Sequence, residues 1–169
     1  MVKRLVLHDL SEEDAAAYLQ GESEEATYFP APPVVQTCIG CYGCWTKTPG
    51  VCVVNDGVSA FAKMIPEHDV LVVISRCVYG SLSPEVKAVL ERSVGVVSPF
   101  FGVVHGEMHH LKRYETMPEL AYHFYGPDLT EREKDTARLL TAANAVNLYA
   151  PKHETYFYSS LSEAKGILP

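Results

Sequence analysis

Four of the five cysteines in this chain lie close together, between positions 38 and 52. Cys38, Cys41, Cys44 and Cys52 follow the spacing C-x2-C-x2-C-x7-C. In a reducing compartment such thiols bind metal or carry redox chemistry more often than they form disulfides. Four thiolates on one short segment suit a [4Fe–4S] cluster, which we favour, or a tetrahedral zinc ion. The alternative is a loop of unmetallated thiols, because cysteine also behaves as a small hydrophobic residue.

A second candidate site follows the most apolar segment of the chain, residues 69–75. It runs from Ser75 to a helix start at Ser83-Pro84. A loop between a strand and a helix N-terminus is where a flat cofactor or an anion meets a parallel sheet. Gly80 permits close approach of the backbone, and Tyr79 could lie beside a ring. The alternative is an ordinary strand-to-helix connection.

A third group comprises His105, Glu107 and His109. All three would share one face of a strand, and the two histidines would share one face of a helix. Either arrangement would present metal ligands, but the residues do not match the H-E-x-x-H pattern. We therefore expect polar surface histidines. The surrounding segment, 100–117, has no strong period and gives no prediction of secondary structure.

An alternation of strands and helices must position these residues. Apolar runs predict strands over residues 3–8, 26–29, 69–75, 119–125 and 155–158. Helix starts are indicated by Ser11, Ser83 and the segment 129–131, and a shorter helix by residues 58–65. For the last long helix we expect one apolar face formed by Leu139, Leu140, Ala143 and Val146.

This element order predicts an α/β fold. Its length and strand count suit a flavodoxin-like three-layer sandwich over a single domain, residues 1–169, with a five-stranded parallel sheet of order 2-1-3-4-5. Ligands of such sheets bind beyond the carboxyl ends of the strands, at the point where the strand order reverses. The loops after His8, Ser75 and Tyr125 are therefore the ones expected to form a site.

Composition limits the class of partner. The net charge of −7 argues against nucleic acid and against an anionic membrane surface. No apolar run is long enough to cross a membrane, and the first residues lack the apolar region of a secretory signal. We therefore expect a cytoplasmic protein.

The cysteine segment, CIGCYGCWTKTPGVC, resembles a segment of the NAD(P)H-dependent FMN reductase family, a flavodoxin-like group to which iron–sulfur flavoproteins also belong. The likeness continues through Asp56 and through a loop, Cys77 to Gly80, similar to the family's P-x-Y-x-G loop. The helix pattern S-x-x-x-K-x-x-x-[DE]-R is matched at Ser83, Lys87, Glu91 and Arg92. Residues 35–95 carry this resemblance, and the rest of the chain follows the family only by element order.

The resemblance implies FMN as cofactor, and a nicotinamide nucleotide or a redox protein as partner. It also implies a [4Fe–4S] cluster held by Cys38, Cys41, Cys44 and Cys52. Family members often form homodimers. The residues expected to contact the flavin are Cys77, Val78, Tyr79, Gly80, Ser81, Ser83, Tyr125 and Gly126.

The chain departs from the family at two places. Cys77 stands where the family usually has proline. The loop after the first strand, usually rich in Gly, Ser and Arg, here carries Asp9, Glu12, Glu13 and Asp14. Carboxylates at a helix start satisfy the helix end themselves and repel a phosphate. The resemblance is thus to a divergent member that lacks the usual phosphate-binding loop.

Three functions follow from these observations. The first is an FMN-dependent NAD(P)H oxidoreductase. The second is a flavodoxin-fold protein that has lost flavin and uses the four cysteines for an iron–sulfur cluster or zinc, as an electron carrier or redox sensor. The third is an interaction module with inert thiols, since the fold alone does not choose among functions.

Overall fold

Residues 2–19 and 25–164 are described by a computed structural model. Short apolar runs, rich in valine and leucine, form a five-stranded sheet in which every pairing is parallel. Both faces of such a sheet are covered, which explains the continuous apolar character of the central strands. Its strands are β1 (Arg4–His8), β2 (Ala26–Pro30), β3 (Val70–Arg76), β6 (Glu119–Tyr125) and β7 (His153–Tyr158).

The strands of this sheet lie in the order β2-β1-β3-β6-β7. Counted within the sheet alone, this is the predicted order 2-1-3-4-5. The labels differ because two further strands, β4 and β5, intervene in the chain. The order reverses at β1 and β3, so the crevice expected for a ligand lies beyond the carboxyl ends of these two strands.

The two additional strands form an antiparallel hairpin that the sequence did not predict. β4 (Val97–Val104) and β5 (Glu107–Lys112) pair with each other and with no strand of the main sheet. The expectation that His105, Glu107 and His109 share one face is wrong for His105. That residue lies in the tight turn between the strands, with φ of 52°, whereas His109 Nε2 lies 3.3 Å from the Glu107 carboxylate.

The described residues form five α-helices, of which all but the second, a short helix inside the cysteine segment that was not predicted, begin near the predicted positions. They are α1 (Glu12–Tyr18), α2 (Gly43–Thr46), α3 (Phe61–Met64), α4 (Pro84–Arg92) and α5 (Glu131–Asn147). Ser11, Ser83 and Thr130 each cap a helix by accepting a hydrogen bond from a backbone N–H of the first turn. The helix predicted over 58–65 is shorter, and a 3-10 turn, Ile65–Glu67, follows it.

The two faces of the sheet bury different elements. Leu71, Val73 and Tyr122 point to the face covered by α3, α4 and α5, whereas Val72 and Ile74 point to the face that packs against Leu10 and Leu19. The predicted face of α5 is wrong, because Leu139 is 74% exposed. Small residues pack this helix closely against the sheet instead, namely Ala137, Thr141 and Ala145. None of the described helices is long and apolar enough to span a membrane.

Candidate functional site

Asp9 joins the carboxyl ends of three strands at the point where the strand order reverses. It follows β1, and its carboxylate accepts a hydrogen bond of 2.9 Å from the backbone N–H of Arg76 at the end of β3. It accepts another of 3.0 Å from the hydroxyl of Tyr125 at the end of β6. Burial, followed by the Asp9 charge, raises the pKa of Tyr125. A side chain of the protein thus already occupies this crevice.

The loop after β3 is a tight turn packed against α5. Val78 and Ser81 exchange two backbone hydrogen bonds of 2.9 Å. Tyr79 and Gly80 between them have φ of 53° and 78°, which is the geometry of a type I′ turn. A Cβ on Gly80 would lie 2.7 Å from the backbone oxygen of Glu133, so only glycine fits. The Tyr79 side chain is 88% exposed.

The cysteine loop, residues 38–52, is irregular apart from α2 and is held in place by contacts of Gly43, Trp45 and Cys52. The indole Nε1 of Trp45 donates a hydrogen bond of 3.0 Å to the backbone oxygen of Val97. The backbone N–H of Cys52 donates to the oxygen of Ser59. Gly43, the first residue of α2, packs so closely against the Val53 side chain that a Cβ at this position would collide with it. Through these contacts the loop packs against β4 and against the segment before α3.

Arg92, at the end of α4, holds the backbone on both sides of the cysteine loop. Its side chain is fully buried and forms two hydrogen bonds, of 2.5 and 2.8 Å, with the Asp56 carboxylate. It also donates to the backbone oxygens of Gln36 and Val54. The bond to Asp56 is the main cause that raises the pKa of Arg92, and Cys52 adds to it. The guanidinium lowers the pKa of Asp56 in turn.

A cavity of about 790 Å³ lies beneath the cysteine loop. It extends between α4, α5 and the hairpin. Its walls are mainly apolar, and Arg92 and His110 contribute polar groups. All four clustered cysteines line it, together with Trp45 and Ser81.

The four thiols influence one another. Burial raises the pKa of Cys44, and the charges of Cys52, Cys38 and Cys41 add to this effect. Cys38 and Cys41 are exposed, whereas Cys44 and Cys52 are half-buried. Across residues 2–19 and 25–164, no three His, Cys, Asp or Glu side chains are arranged to hold a metal ion. The metal site predicted for these cysteines therefore stays a prediction.

The structure brings together only part of the predicted site. The four cysteines share one cavity with Ser81, but the other residues expected at the flavin do not line it. Cys77 is half-buried, and burial raises its pKa; its N–H donates to the backbone oxygen of Tyr125. No sequence pattern indicated that His110 would reach this cavity. The Asp56–Arg92 pair could have been found, since both residues match the family pattern.

Comparison with solved structures identifies the architecture. General stress protein 14 of Treponema denticola, in complex with FMN, superposes with a TM-score of 0.50 at 16% identity, over 95% of this chain and 88% of that one. An FMN-dependent NADH-azoreductase from Bacillus anthracis, in complex with FMN, superposes with a TM-score of 0.51 at 10% identity, over 95% and 89%. The chain has the flavodoxin-like fold. No protein-family model matches the sequence, and a search of curated proteins gives no match.

In this flavodoxin-like chain the residues after β1 do not fit the phosphate of FMN. A phosphate needs free backbone N–H groups and favours a neighbouring cation. Here Ser11 uses its hydroxyl to cap α1, and the first turn of that helix contains three carboxylates. Asp9 adds a fourth negative charge and binds the N–H of Arg76 that faces the crevice. The N–H groups of Asp14 and Arg76 are thus already bonded to protein oxygens, and the four carboxylates repel a dianion.

Proposed function

We propose that this chain is an electron-transfer protein whose cysteine loop holds an iron–sulfur cluster, without FMN. The observation that carries the proposal is that all four cysteines of the loop line one cavity. The acidic loop after β1, whose Asp9 accepts a hydrogen bond from the N–H of Arg76, speaks against the phosphate of FMN. The set of four thiols suits a [4Fe–4S] cluster. A cluster held there would supply one-electron transfer.

The protein's own residues prepare the loop for this role. Arg92 fixes the backbone before Cys38 and after Cys52 through hydrogen bonds to the backbone oxygens of Gln36 and Val54. Gly40 and Tyr42 have positive φ, which turns the backbone sharply between the first three cysteines. Because no three thiols are yet arranged to hold a metal in the described residues, we expect the loop to close around the cluster.

The test is the metal and flavin content of the full chain purified without oxygen. We expect iron and acid-labile sulfide, a broad brown absorption that reductant bleaches, and no stoichiometric FMN. Cys41→Ser should lower the iron content. Cys77→Ser is the matched control, since Cys77 does not line the cavity, and it should leave iron unchanged. Equal iron in both variants, or a wild-type chain without iron, would contradict the proposal; zinc in its place would assign the same thiols to a structural or sensing role.

A second candidate is an FMN-dependent NAD(P)H oxidoreductase with a nicotinamide nucleotide as partner. The likeness to two FMN-bound proteins of the same fold favours it. The flavin ring would then lie against the turn of Val78 to Ser81 and against Tyr125-Gly126. FMN bound in a one-to-one ratio, and weakened by Tyr79→Ala, would support this candidate over the first. Tyr79 is suited to the test because its exposed side chain can be removed without disturbing the core.

A further inference from the structure

We propose that the β4–β5 hairpin joins two copies of this chain, with β4 of one copy paired antiparallel to β4 of the other. This inference goes beyond the proposed function and does not depend on it. Three observations carry it: an open strand edge, exposed apolar side chains on that strand, and a strand sequence that complements itself about a two-fold axis.

The backbone of β4 has an open edge. The two residues of the turn between β4 and β5 have φ of 52° and 86°, which is the geometry of a type I′ turn, so Val104 and Glu107 beside it form a hydrogen-bonded pair. Because this pattern alternates along an antiparallel hairpin, Phe101 and Val103 direct their backbone N–H and C=O groups away from β5. In the described part of the chain, these groups form no hydrogen bond beyond the hairpin.

The opposite edge of the hairpin is covered by the end of α5. The hydroxyl of Tyr149 donates a hydrogen bond of 3.0 Å to the backbone oxygen of His110 in β5. This contact agrees with the alternation, because His110 is the partner of Phe101 and its oxygen points away from β4. The His109 ring lies 2.9 Å from the Oδ1 atom of Asn147. The chain thus covers the β5 edge itself and leaves the β4 edge open among the described residues.

The side chains along the open edge favour a protein strand as its occupant. Phe101 and Val103 are 60% and 71% exposed, and Met108, opposite Val103 on β5, is 67% exposed. Proteins commonly protect an open edge with charged side chains, but β4 contains none. An uncharged apolar edge of this kind pairs readily with a further strand.

A second copy of β4 fits this edge by symmetry. A two-fold axis pairs a strand with its own copy in the antiparallel direction. With the axis at Gly102, Phe101 of each copy lies opposite Val103 of the other, and the outward backbone groups of both residues form hydrogen-bonded pairs. Each aromatic ring then meets a β-branched side chain, which is a favourable cross-strand pair. No like charges face each other across the pairing, which matters for a chain with a net charge of −7.

The test is sedimentation velocity of the full chain, kept reduced, between about 1 and 200 μM. We expect a monomer–dimer equilibrium in this range, because an interface built on one strand edge is small. Val103→Lys places a charge on the open edge and should raise the dissociation constant of the dimer at least about tenfold. Met108→Lys is the matched control: it adds the same charge to the same face, but on β5, and should change the dissociation constant less than about twofold. Circular dichroism checks that both variants fold.

Amide hydrogen exchange followed by NMR shows where the two copies meet. The N–H groups of Phe101 and Val103 should exchange more slowly as the protein concentration rises, whereas that of Met108, on the other edge, should not change. A chain that stays monomeric, equal dissociation constants in the two variants, or exchange at Phe101 and Val103 that is independent of concentration would overturn the inference. Because these measurements require neither iron nor flavin, their failure and the failure of the proposed function are distinguishable.

Discussion

At the scale of single residues, Asp9 shows how one side chain closes a potential site. The sequence indicates only that the loop after the first strand is acidic. The structure shows that Asp9 accepts hydrogen bonds from the Arg76 N–H and the Tyr125 hydroxyl, each at the end of a different strand. The carboxylate thus contributes to the stability of the fold at the place where many proteins of this architecture bind ligands.

Replacing Asp9 should therefore destabilise the protein. We expect Asp9→Ala to lower the free energy of unfolding by about 1–2 kcal/mol, since the part-buried Tyr125 hydroxyl and the exposed backbone N–H of Arg76 lose their acceptor. Urea denaturation followed by circular dichroism measures the change. Glu12→Ala, in the exposed first turn of α1, is the control and should change stability by less than about 0.5 kcal/mol. Equal effects of the two variants would show that the Asp9 contacts add nothing to stability.

The Asp56–Arg92 pair should matter more than any exposed ion pair. Asp56→Ala leaves a buried guanidinium without its counter-ion, which costs about 3–5 kcal/mol in fully buried pairs. Because the Asp56 side chain is 35% exposed, we expect a value near the lower end, about 3 kcal/mol.

A control for this variant lies on the same helix. Glu91→Ala breaks the exposed pair with Lys87 and should cost about 0.5 kcal/mol or less. Chemical denaturation of both variants at neutral pH gives the comparison. If Asp56→Ala were no more destabilising than Glu91→Ala, Arg92 would not depend on Asp56 for its burial.

At the scale of elements, the turn between β3 and α4 depends on one glycine. Gly80 has positive φ and lies against Glu133 and Thr136 of α5. Gly80→Ala should therefore destabilise the protein by strain and by collision, by about 2 kcal/mol or more. Gly106 is the matched control, because its φ is also positive but nothing surrounds it. Thermal unfolding should show that Gly106→Ala loses less stability, about 1 kcal/mol in the free energy of unfolding. Equal losses of stability in the two variants would mean that the packing of Gly80 against α5 is unimportant.

The strands of the main sheet and the helix starts were predictable because local signals determine them. Continuous apolar runs identify β1, β3 and β6, and Ser83-Pro84 identifies the start of α4. The β4–β5 hairpin was not predictable, because its exposed Phe101 and Met108 remove the alternation that marks a half-buried strand.

The candidate site was predictable only where its residues are neighbours in the chain. The cysteine spacing identifies the loop, but the cavity also needs His110 from the hairpin and Leu140 from α5. Those contacts depend on tertiary packing. The face of α5 was mispredicted for the same reason: close packing against the sheet selects Ala137 and Thr141, and the larger Leu139 is left outside.

At the scale of the whole molecule, stability should depend on pH through a buried histidine. His123 of β6 stacks against Tyr156 and Tyr158 of the neighbouring β7, and burial lowers its pKa to about 4. The unfolded chain binds this proton near pH 6.5. The free energy of unfolding therefore keeps the full contribution of neutral His123 above about pH 6.5. As the pH drops from there towards 4, this contribution is lost, and the loss amounts to about 3 kcal/mol.

Urea denaturation between pH 4 and 7 tests this dependence. His123→Phe should reduce the slope of the unfolding free energy against pH, because the phenyl ring has no proton to bind. The unfolding free energy of His123→Phe should still depend on pH to some extent, since burial also lowers the pKa of His8. His153→Phe, at an exposed position of β7, is the control. A slope that is the same in His123→Phe and in the wild type would assign the pH dependence to other groups.

Trp45 gives the molecule a built-in optical reporter. It is the only tryptophan of the chain, so selective excitation addresses this one indole and none of the tyrosines. Its indole N–H donates a hydrogen bond to the backbone oxygen of Val97, and its ring contacts Tyr42 and His110 and lines the cavity. The wavelength and intensity of its emission should therefore change whenever the cysteine loop closes or the cavity fills. Both events can be followed in unlabelled protein, in real time, from a single fluorescence signal.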